Sequence, residues 1–401
     1  MSRASLLHLS TTLTSSGAGL DLSDADPLIF HQRMPEYERT PLIEVPSIAA
    51  RLGVRAVHVK DESRRLGLPS FKMLGASWAT ARAIARTWHP ELGSDLDLPL
   101  IRDAVQSGPR RRLAAATDGN HGRGVARMAA LLGLDCMIFV PAGTARARID
   151  DIASEGAEVQ VVEGSYDDAI VRSAQEADDN TLIISDTSWE GYTETPLDVI
   201  QGYSTLFREI DTALSEVHTP PPTHLVLQSG VGSFAAAGLS HARRTRRADE
   251  LHVAIVEPTA ANCLQRSAIA GQLDEAPGPH DSTMAGLNCG LPSVVAWPIV
   301  NALADSFISI DDDWAFEAMA LLAEVGIVAG ESGAAALGGL IAMVDTGQAE
   351  QIVLNSESVV IVINTEGATD PHNFSIVTSL DPIEVTTSAN ERRRRHGAIV
   401  R

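Results

Sequence analysis

The chain has 401 residues and a formal net charge of −21 at pH 7, from 31 Lys and Arg against 52 Asp and Glu. Such an excess of negative charge disfavours nucleic acid and anionic membranes as partners, so we expect neither. The length suffices for two domains, and the hydrophobic (44%) and charged (21%) fractions are ordinary for a soluble globular protein.

Cysteine usage and the N-terminal sequence lead us to expect a cytoplasmic protein. Three cysteines, Cys136, Cys263 and Cys289, are too few for a secreted disulfide scaffold. No group of His and Cys residues has the spacing of a zinc site, so we predict no metal. The N-terminus is a poor signal peptide, and no uncharged apolar stretch is long enough to cross a membrane.

The predicted elements begin after a Ser-, Thr-, Gly- and Asp-rich arm at residues 1–27, which we expect to be loosely held. A helix is predicted near Ser47–Leu52 and a strand at Ala56–Lys60. Apolar residues at helical spacing then predict a helix that Ser70 can cap. Residues 88–112 resemble an insertion with short elements of its own.

After this insertion, strands and helices alternate regularly. Strands are predicted at "RRLAAAT", "DCMIFVP", "EVQVVEG" and "LIISD", and a second series contains "HLVLQSG", "HVAIVEP" and "SVVIVINTEG". Helices are predicted between these strands, among them one from Ser233 and one near Ala260. Short βαβ units predict an α/β fold with parallel sheets flanked by helices, in which the β-branched "SVVIVI" is a central strand. The end of the chain, with "ERRRRHG", has no periodicity and is predicted to be a solvated tail.

Four polar elements follow or lie near the ends of predicted strands. They are Lys72 at a helix start and the loops "TDGNHG", "QSGVGS" and "NTEGATD". In parallel α/β sheets, ligands bind beyond the carboxyl ends of the strands. The four elements therefore predict one shared site. Lys72 lies in the apolar context "SFKMLG", where burial favours the uncharged amine that an imine-forming lysine needs.

The loop "QSGVGS" is typical of a phosphate site. Gly230 and Gly232 allow backbone N–H groups to converge, and a helix from Ser233 adds the positive end of its dipole. A tight strand–helix turn without a ligand is an equally good interpretation of Gly-x-Gly alone. A nicotinamide-dependent dehydrogenase is a further alternative, since Ala235 completes a dinucleotide fingerprint and Glu257 ends the next strand.

Several motifs together resemble the diaminopropionate ammonia-lyases, namely "KDES…SFKMLGA", "TDGNHGRGVA", "DTSWEGYT", "QSGVGS" and "STMAGLNCG". This family belongs to the fold-type II pyridoxal-phosphate enzymes, with threonine dehydratase and the tryptophan synthase β chain. The resemblance covers about residues 30–373. It implies pyridoxal 5'-phosphate as cofactor, a small amino acid as substrate, a homodimer and two domains. Residues 1–79 and 200–401 would form the large domain and residues 80–199 the small domain.

The resemblance also implies which residues bind the cofactor. Lys72 would bind it covalently, and Asn120 would donate a hydrogen bond to the oxygen on its ring. The phosphate would lie in the loop formed by Ser229, Gly230, Val231, Gly232 and Ser233. Asn364 and Thr365 lie where the superfamily contacts the pyridine nitrogen. Asn364 departs from the serine expected there.

Two carboxylates would serve catalysis in the same resemblance. Asp118 lies in "TDGNHG", where it would repel a phosphate but attract the extra ammonium group of diaminopropionate, and it can also take the α-proton. Asp186 would be a second base on the other face of the cofactor. Two bases explain how such lyases accept both D- and L-isomers. Ser70, Trp189 and Tyr192 would help to bind the substrate.

The remaining motif residues have ordinary interpretations. A lone histidine such as His121 more often packs than catalyses. Cys263 and Cys289 match a cysteine pair of the family near the site entrance, and we expect two free thiols in the cytoplasm.

The predicted function is the β-elimination of ammonia from 2,3-diaminopropionate, which yields pyruvate and ammonia. The departures "PSFK" and "GLNCGLP", and the bulky Phe234, leave open a serine/threonine-type dehydratase or a β-replacement enzyme. A catalytically silent amino-acid sensor on the same scaffold is a further alternative.

Overall fold

Two β-sheets organise the residues that the computed structural model describes, which are 3–10, 26–117, 119–217, 219–246 and 249–395. The strands are β1 Ser5–Leu9, β2 Leu42–Glu44, β3 Ala56–Asp61, β4 Arg112–Ala116, β5 Asp135–Pro141, β6 Glu158–Val162, β7 Thr181–Ile183, β8 His224–Gln228, β9 His252–Pro258, β10 Ser306–Ile310 and β11 Val359–Asn364.

Helices flank both sheets. They are α1 Pro27–Gln32, α2 Pro46–Leu52, α3 Lys72–Thr87, α4 Leu98–Gln106, α5 Asn120–Leu132, α6 Arg146–Ser154, α7 Tyr166–Ala174, α8 Glu194–Glu216, α9 Ser233–Thr245, α10 Cys263–Ala270, α11 Trp297–Leu303, α12 Asp312–Glu324, α13 Glu331–Asp345, α14 Pro371–Thr378 and α15 Pro382–Arg395. Over the described ranges, none of these helices combines the length and the apolar content that a membrane span needs.

The larger sheet has seven strands in the order β1-β10-β9-β8-β11-β3-β2. The five inner strands run parallel, and the edge strands β1 and β2 pair antiparallel. Every residue of β11 is buried, and this strand pairs with β8 on one side and β3 on the other. The prediction of a central strand from its β-branched run is therefore confirmed, because a strand covered on both faces favours an unbroken apolar sequence.

The smaller sheet has four parallel strands in the order β6-β5-β4-β7. All four lie between residues 112 and 183, in the segment that the sequence assigned to a small domain. The boundaries at residues 80 and 199 themselves stay a prediction. The α/β class with mainly parallel sheets between helices is confirmed.

Some predicted elements were wrong or were missed. Residues 5–9 of the supposed arm form β1, because the free edge of β10 offers hydrogen-bonding partners that no local pattern reveals. The predicted tail is helical as far as Arg395. Strand β10 and the 23-residue helix α8 were not predicted at all. The arm residues 11–25 and the last residues 396–401 lie outside the described ranges.

A buried ion cluster anchors the segment that leads to Lys72. Lys60 Nζ lies 2.6 Å from Glu209 Oε2, and Arg65 Nη2 lies 2.7 Å from both Glu62 Oε1 and Glu209 Oε2. Two cations and two carboxylates are balanced here, so burial leaves no charge uncompensated. Because Glu209 belongs to α8 while the other three residues lie in or just after β3, the cluster ties this loop to the body of the large sheet.

Candidate active site

A cavity lies beyond the carboxyl ends of β4, β8 and β11. Ligands of parallel α/β proteins bind at this edge of the sheet. Of the residues predicted to form the site, the cavity is lined by Ser70, Lys72, Asn120, Asp186, Gly230, Val231, Gly232, Ser233 and Thr365. The prediction that the polar loops of separate strands meet at one site agrees with this geometry.

Lys72 is the first residue of α3, and its amine faces a carboxylate. Lys72 Nζ lies 2.6 Å from Asp186 Oδ2, and 19% of the lysine side chain is exposed. The 401-residue sequence contains only two lysines, and the other, Lys60, is fully buried in the ion cluster. Lys72 is therefore the lysine whose amine can reach a molecule in the cavity.

Three neighbours surround the carboxylate of Asp186. Oδ2 contacts Lys72, the hydroxyl of Tyr166 donates to Oδ1 over 3.1 Å, and His121 Nδ1 lies 4.0 Å from Oδ2. Burial disfavours the ionised form, but the charge of Lys72 and the proximity of His121 outweigh it and hold the pKa of Asp186 well below its usual range. Asp186 is thus an ionised carboxylate that touches the lysine amine.

His121 lies next to Asp186 but outside the lining of the cavity. Its side chain is 1% exposed, and Nε2 donates to the carbonyl oxygen of Ile184 over 2.8 Å. A carbonyl oxygen only accepts, so Nε2 carries a hydrogen, and Nδ1 faces Asp186. The geometry agrees with the packing role that the sequence favoured, because His121 does not line the cavity.

The loop before α9 has the form of a phosphate cradle. Gly232 has φ +104, a left-handed conformation that side chains disfavour, and the unpaired N–H groups of the first turn of α9 follow it. A Cβ at Gly230 would lie 2.9 Å from Cys289 Sγ, so the backbone packs too closely for any side chain. The hydroxyl of Ser233 donates to the backbone oxygen of Asp186 over 2.6 Å and joins this loop to the segment that carries Asp186. These features fit the phosphate of pyridoxal phosphate.

We expect Gly232→Asp to weaken cofactor binding on the order of a hundredfold or more. Two unit charges about 4 Å apart repel by about 4 kcal/mol at an effective dielectric of about 20. Fluorescence titration of the apoenzyme with pyridoxal phosphate measures the loss. Gly232→Ala is the matched control, since it adds the same backbone strain without the charge. Equal affinities of the two variants would place the phosphate elsewhere.

Thr365, and not Asn364, faces the cavity at the end of β11. Thr365 Oγ1 accepts a hydrogen bond from Gln228 Nε2 over 2.9 Å. Asn364 Nδ2 instead donates to Asp61 Oδ1 and to the carbonyl oxygen of Val328, both over 2.9 Å. Its side chain is therefore directed toward Asp61 and Val328 and does not line the cavity. Of the two predicted pyridine contacts, only Thr365 keeps that position.

Three further predicted residues that the structure describes are not found in the lining. The rings of Trp189 and Tyr192 stack on each other 4.2 Å apart, and the hydroxyl of Tyr192 donates to the carbonyl oxygen of Ile183 over 2.6 Å. They pack beside the small sheet and do not form the wall of the site as predicted. Ser229 is buried and does not line the cavity. Asp118 lies outside the described residues, so its proposed role stays a prediction.

The two cysteines near the site form no disulfide in the part of the chain that the structure describes. Cys289 lines the cavity, while Cys263 is fully buried with Sγ 3.9 Å from the carbonyl oxygen of Gly230. Burial and the nearby carboxyl of Glu257 raise the pKa of Cys263 well above its usual value. This thiol therefore stays protonated and unreactive.

The position of Glu257 removes the support for a dinucleotide site. Its carboxyl oxygens accept the backbone N–H groups of Leu264 and Gln265, each over 2.8 Å, and the residue is fully buried. In a dinucleotide-binding fold this carboxylate would have to reach a ribose hydroxyl. Glu257 instead caps α10, and the dehydrogenase alternative is not favoured.

Sequence reasoning missed several cavity residues that contact the predicted ones, among them Tyr166 and Glu366. Tyr166 begins α7 and bonds Asp186, and Glu366 accepts a hydrogen bond from Asn120 Nδ2. Glu366 lies inside the quoted loop "NTEGATD", so its position after β11 was a usable signal. Nothing around Tyr166 distinguishes it from the surface helix residues that follow.

Comparison with known proteins agrees with this geometry. Residues 34–365 match the family described as pyridoxal-phosphate dependent enzyme. The fold and the site thus define an enzyme of fold type II with pyridoxal phosphate as its cofactor.

More specific relatives are diaminopropionate ammonia-lyases. That of Escherichia coli (strain K12) is 38% identical over 355 residues, which cover 86% of this chain and 88% of the relative. The crystal structure of the Escherichia coli enzyme in complex with D-serine has a TM-score of 0.87 at 35% identity and covers 94% of this chain and 97% of that one. Its complex with an aminoacrylate-PLP azomethine reaction intermediate has a TM-score of 0.83 with the same identity and coverage. The chain therefore belongs to the diaminopropionate ammonia-lyase family, as the sequence motifs indicated.

Proposed function

We propose that this protein removes ammonia from 2,3-diaminopropionate by β-elimination. Loss of the β-amino group leaves an enamine, which takes up water and yields pyruvate and a second ammonia. The observation that carries the proposal is the contact of 2.6 Å between Lys72 Nζ and Asp186 Oδ2 inside the cavity. It combines an amine that can bind a carbonyl group with a carboxylate that can accept a proton.

The cofactor, when bound, withdraws electrons from the α-carbon of the amino acid and so makes its α-proton acidic. Lys72 would bind the cofactor carbonyl, and the loop from Gly230 to Ser233 would hold the phosphate. Thr365 would meet the pyridine nitrogen with a neutral hydroxyl. Such a partner leaves this nitrogen unprotonated, which favours elimination over transamination.

Asp186 would take the α-proton on one face of the substrate. In the structure its carboxylate is a weak base, because the charge of Lys72 keeps its pKa low. The hydroxyl of Tyr166 donates to Oδ1 and so orients the carboxylate. Any loss of positive charge at the lysine nitrogen would raise the pKa of Asp186 and make it a stronger proton acceptor.

Asp118 would act from the other face, and its carboxylate would also attract the β-ammonium group of the substrate. The fold supports this assignment through the neighbouring residues. Thr117 Oγ1 accepts the backbone N–H groups of Gly119 and Gly122 over 2.9 and 3.0 Å and so constrains the loop on both sides of position 118. Asn120, next in the loop, lines the cavity.

Three coarser assignments belong to the same proposal. The division into a large domain (1–79 and 200–401) and a small domain (80–199) is supported by the separate sheets. A homodimer and a cytoplasmic location are proposed from the family resemblance. Sedimentation equilibrium of the holoenzyme tests the dimer.

The direct test is turnover of purified holoenzyme with D- and L-diaminopropionate and, as comparison substrates, D- and L-serine. We expect pyruvate and two equivalents of ammonia from diaminopropionate, with kcat/KM at least tenfold above that of either serine isomer. Serine lacks the β-ammonium group that Asp118 would bind. Higher kcat/KM with serine would assign the chain to the dehydratase alternative, and no turnover of any substrate would favour the amino-acid sensor.

A further inference from the structure

Glu366 is a buried carboxylate at the cofactor cavity that no catalytic assignment uses. It follows Thr365 in the loop after β11, is 3% exposed and lines the same cavity as Lys72 and Asn120. Its Oε2 accepts a hydrogen bond from Nδ2 of Asn120. Asn120 begins α5 beside the small sheet, so this bond joins the two sheets across the site.

The surrounding backbone holds Glu366 in place. Ser70 pairs with it in an isolated β-bridge, two residues before Lys72. The backbone N–H of Gly330 donates to the carbonyl oxygen of Glu366 over 3.1 Å. A Cβ at Gly330 would lie 2.9 Å from Oε1, so the glycine leaves the space that the carboxylate occupies. The side chain is therefore confined, and its direction toward Asn120 is a feature of the fold.

We propose that Glu366 is a positioning residue that determines which way the amide of Asn120 faces. An ionised carboxylate only accepts hydrogen bonds, whereas an amide has a donor end and an acceptor end. Glu366 therefore selects the Nδ2 end of Asn120 and repels Oδ1. One hydrogen of Nδ2 is used by Glu366, and the second remains for an acceptor in the cavity. The inference rests on the proposed function, in which that acceptor is the oxygen on the cofactor ring.

The test compares Glu366→Gln with the unmodified holoenzyme. A glutamine side chain can both donate and accept, so it can pair with either orientation of the Asn120 amide. Glu366→Gln therefore removes the selection of one orientation and also removes a charge-assisted hydrogen bond. Such bonds contribute about 1 kcal/mol more than neutral ones, so we expect the apparent affinity for pyridoxal phosphate to fall roughly fivefold. We also expect the pH dependence of the visible absorption band to shift. Both readouts are independent of turnover.

A double-mutant cycle with Asn120→Ala distinguishes positioning from a direct effect. If Glu366 acts through Asn120, Glu366→Gln changes neither affinity nor spectrum further in the Asn120→Ala background. Equal effects in both backgrounds, or none in either, would overturn the inference. Glu366→Asp retains an acceptor-only group and is expected to preserve more of the wild-type spectrum than Glu366→Gln. The reverse order would also contradict the proposal.

A chemically matched control lies nearby. Glu331 is also buried, its Oε1 accepts a hydrogen bond from Nδ2 of Asn373, and it does not line the cofactor cavity. Glu331→Gln is expected to leave the cofactor spectrum unchanged. A shift as large as that of Glu366→Gln would show that loss of any buried carboxylate suffices and would overturn the inference. An unmodified protein that gains no visible band with pyridoxal phosphate would instead contradict the proposed function.

Discussion

Lys72→Ala is expected to abolish the visible absorption band of the holoenzyme and to lower kcat by more than the 10²–10⁴-fold typical of losing one positioned proton-transfer group. The variant removes the amine that would bind the cofactor carbonyl. It also removes the cation 2.6 Å from Asp186. Absorption spectroscopy and pyruvate release measure the two losses, while cofactor can still bind through its phosphate.

Lys72→Arg separates these two effects. Arginine keeps a positive charge opposite Asp186 but does not form an imine, so we expect the band to be lost in this variant as well. Borohydride reduction of the unmodified holoenzyme followed by peptide mapping should attach the cofactor to Lys72. The sequence offers one other lysine, Lys60, which is buried among Glu62, Arg65 and Glu209. Cofactor found on Lys60 would refute the assignment.

Asp186→Asn and Asp118→Asn are expected to impair different isomers of diaminopropionate. The α-proton lies on one face of the bound substrate or the other according to chirality, and proton transfer needs contact at hydrogen-bond distance. Following the family pattern, Asp186→Asn should lower kcat/KM mainly for the L-isomer and Asp118→Asn mainly for the D-isomer. The expected loss is about 10²–10⁴-fold. A smaller loss with the L-isomer is also expected for Asp118→Asn, because its carboxylate would also bind the β-ammonium group.

The measurement is kcat/KM for both isomers with both single variants. The visible band of each variant serves as the control, since it reports whether Lys72 still holds the cofactor after its neighbour Asp186 has lost its charge. Equal losses for both isomers in both variants would refute the two-base proposal. Such a result would favour Lys72 as the common base.

Much of the fold follows from local sequence patterns. The buried run of β11 and the glycine that ends α5 at Gly133 are both visible in the sequence, because burial on two faces and left-handed helix ends restrict residue choice. Strand β1 was not visible in this way. Residues 5–9 form a strand because they pair with the edge of β10. Since β10 lies far along the chain from these residues, no local sequence pattern reveals the pairing.

The residues of the site can also be divided into those that the sequence indicates and those that only the tertiary structure places. The sequence by itself predicted that Lys72, the loop of Asn120 and the glycine loop share one site, because they follow or lie near strand ends and the carboxyl ends of parallel strands meet at one edge. Asp186 was assigned to this site through the family resemblance. Only the tertiary structure decided that Thr365, and not Asn364, faces the cavity, and that Glu366 contacts Asn120. Which of the two adjacent side chains points into the cavity depends on the orientation of the strand end and of the loop that follows it. The contact between Glu366 and Asn120 joins two separate sheets, and it forms only when the sheets pack together.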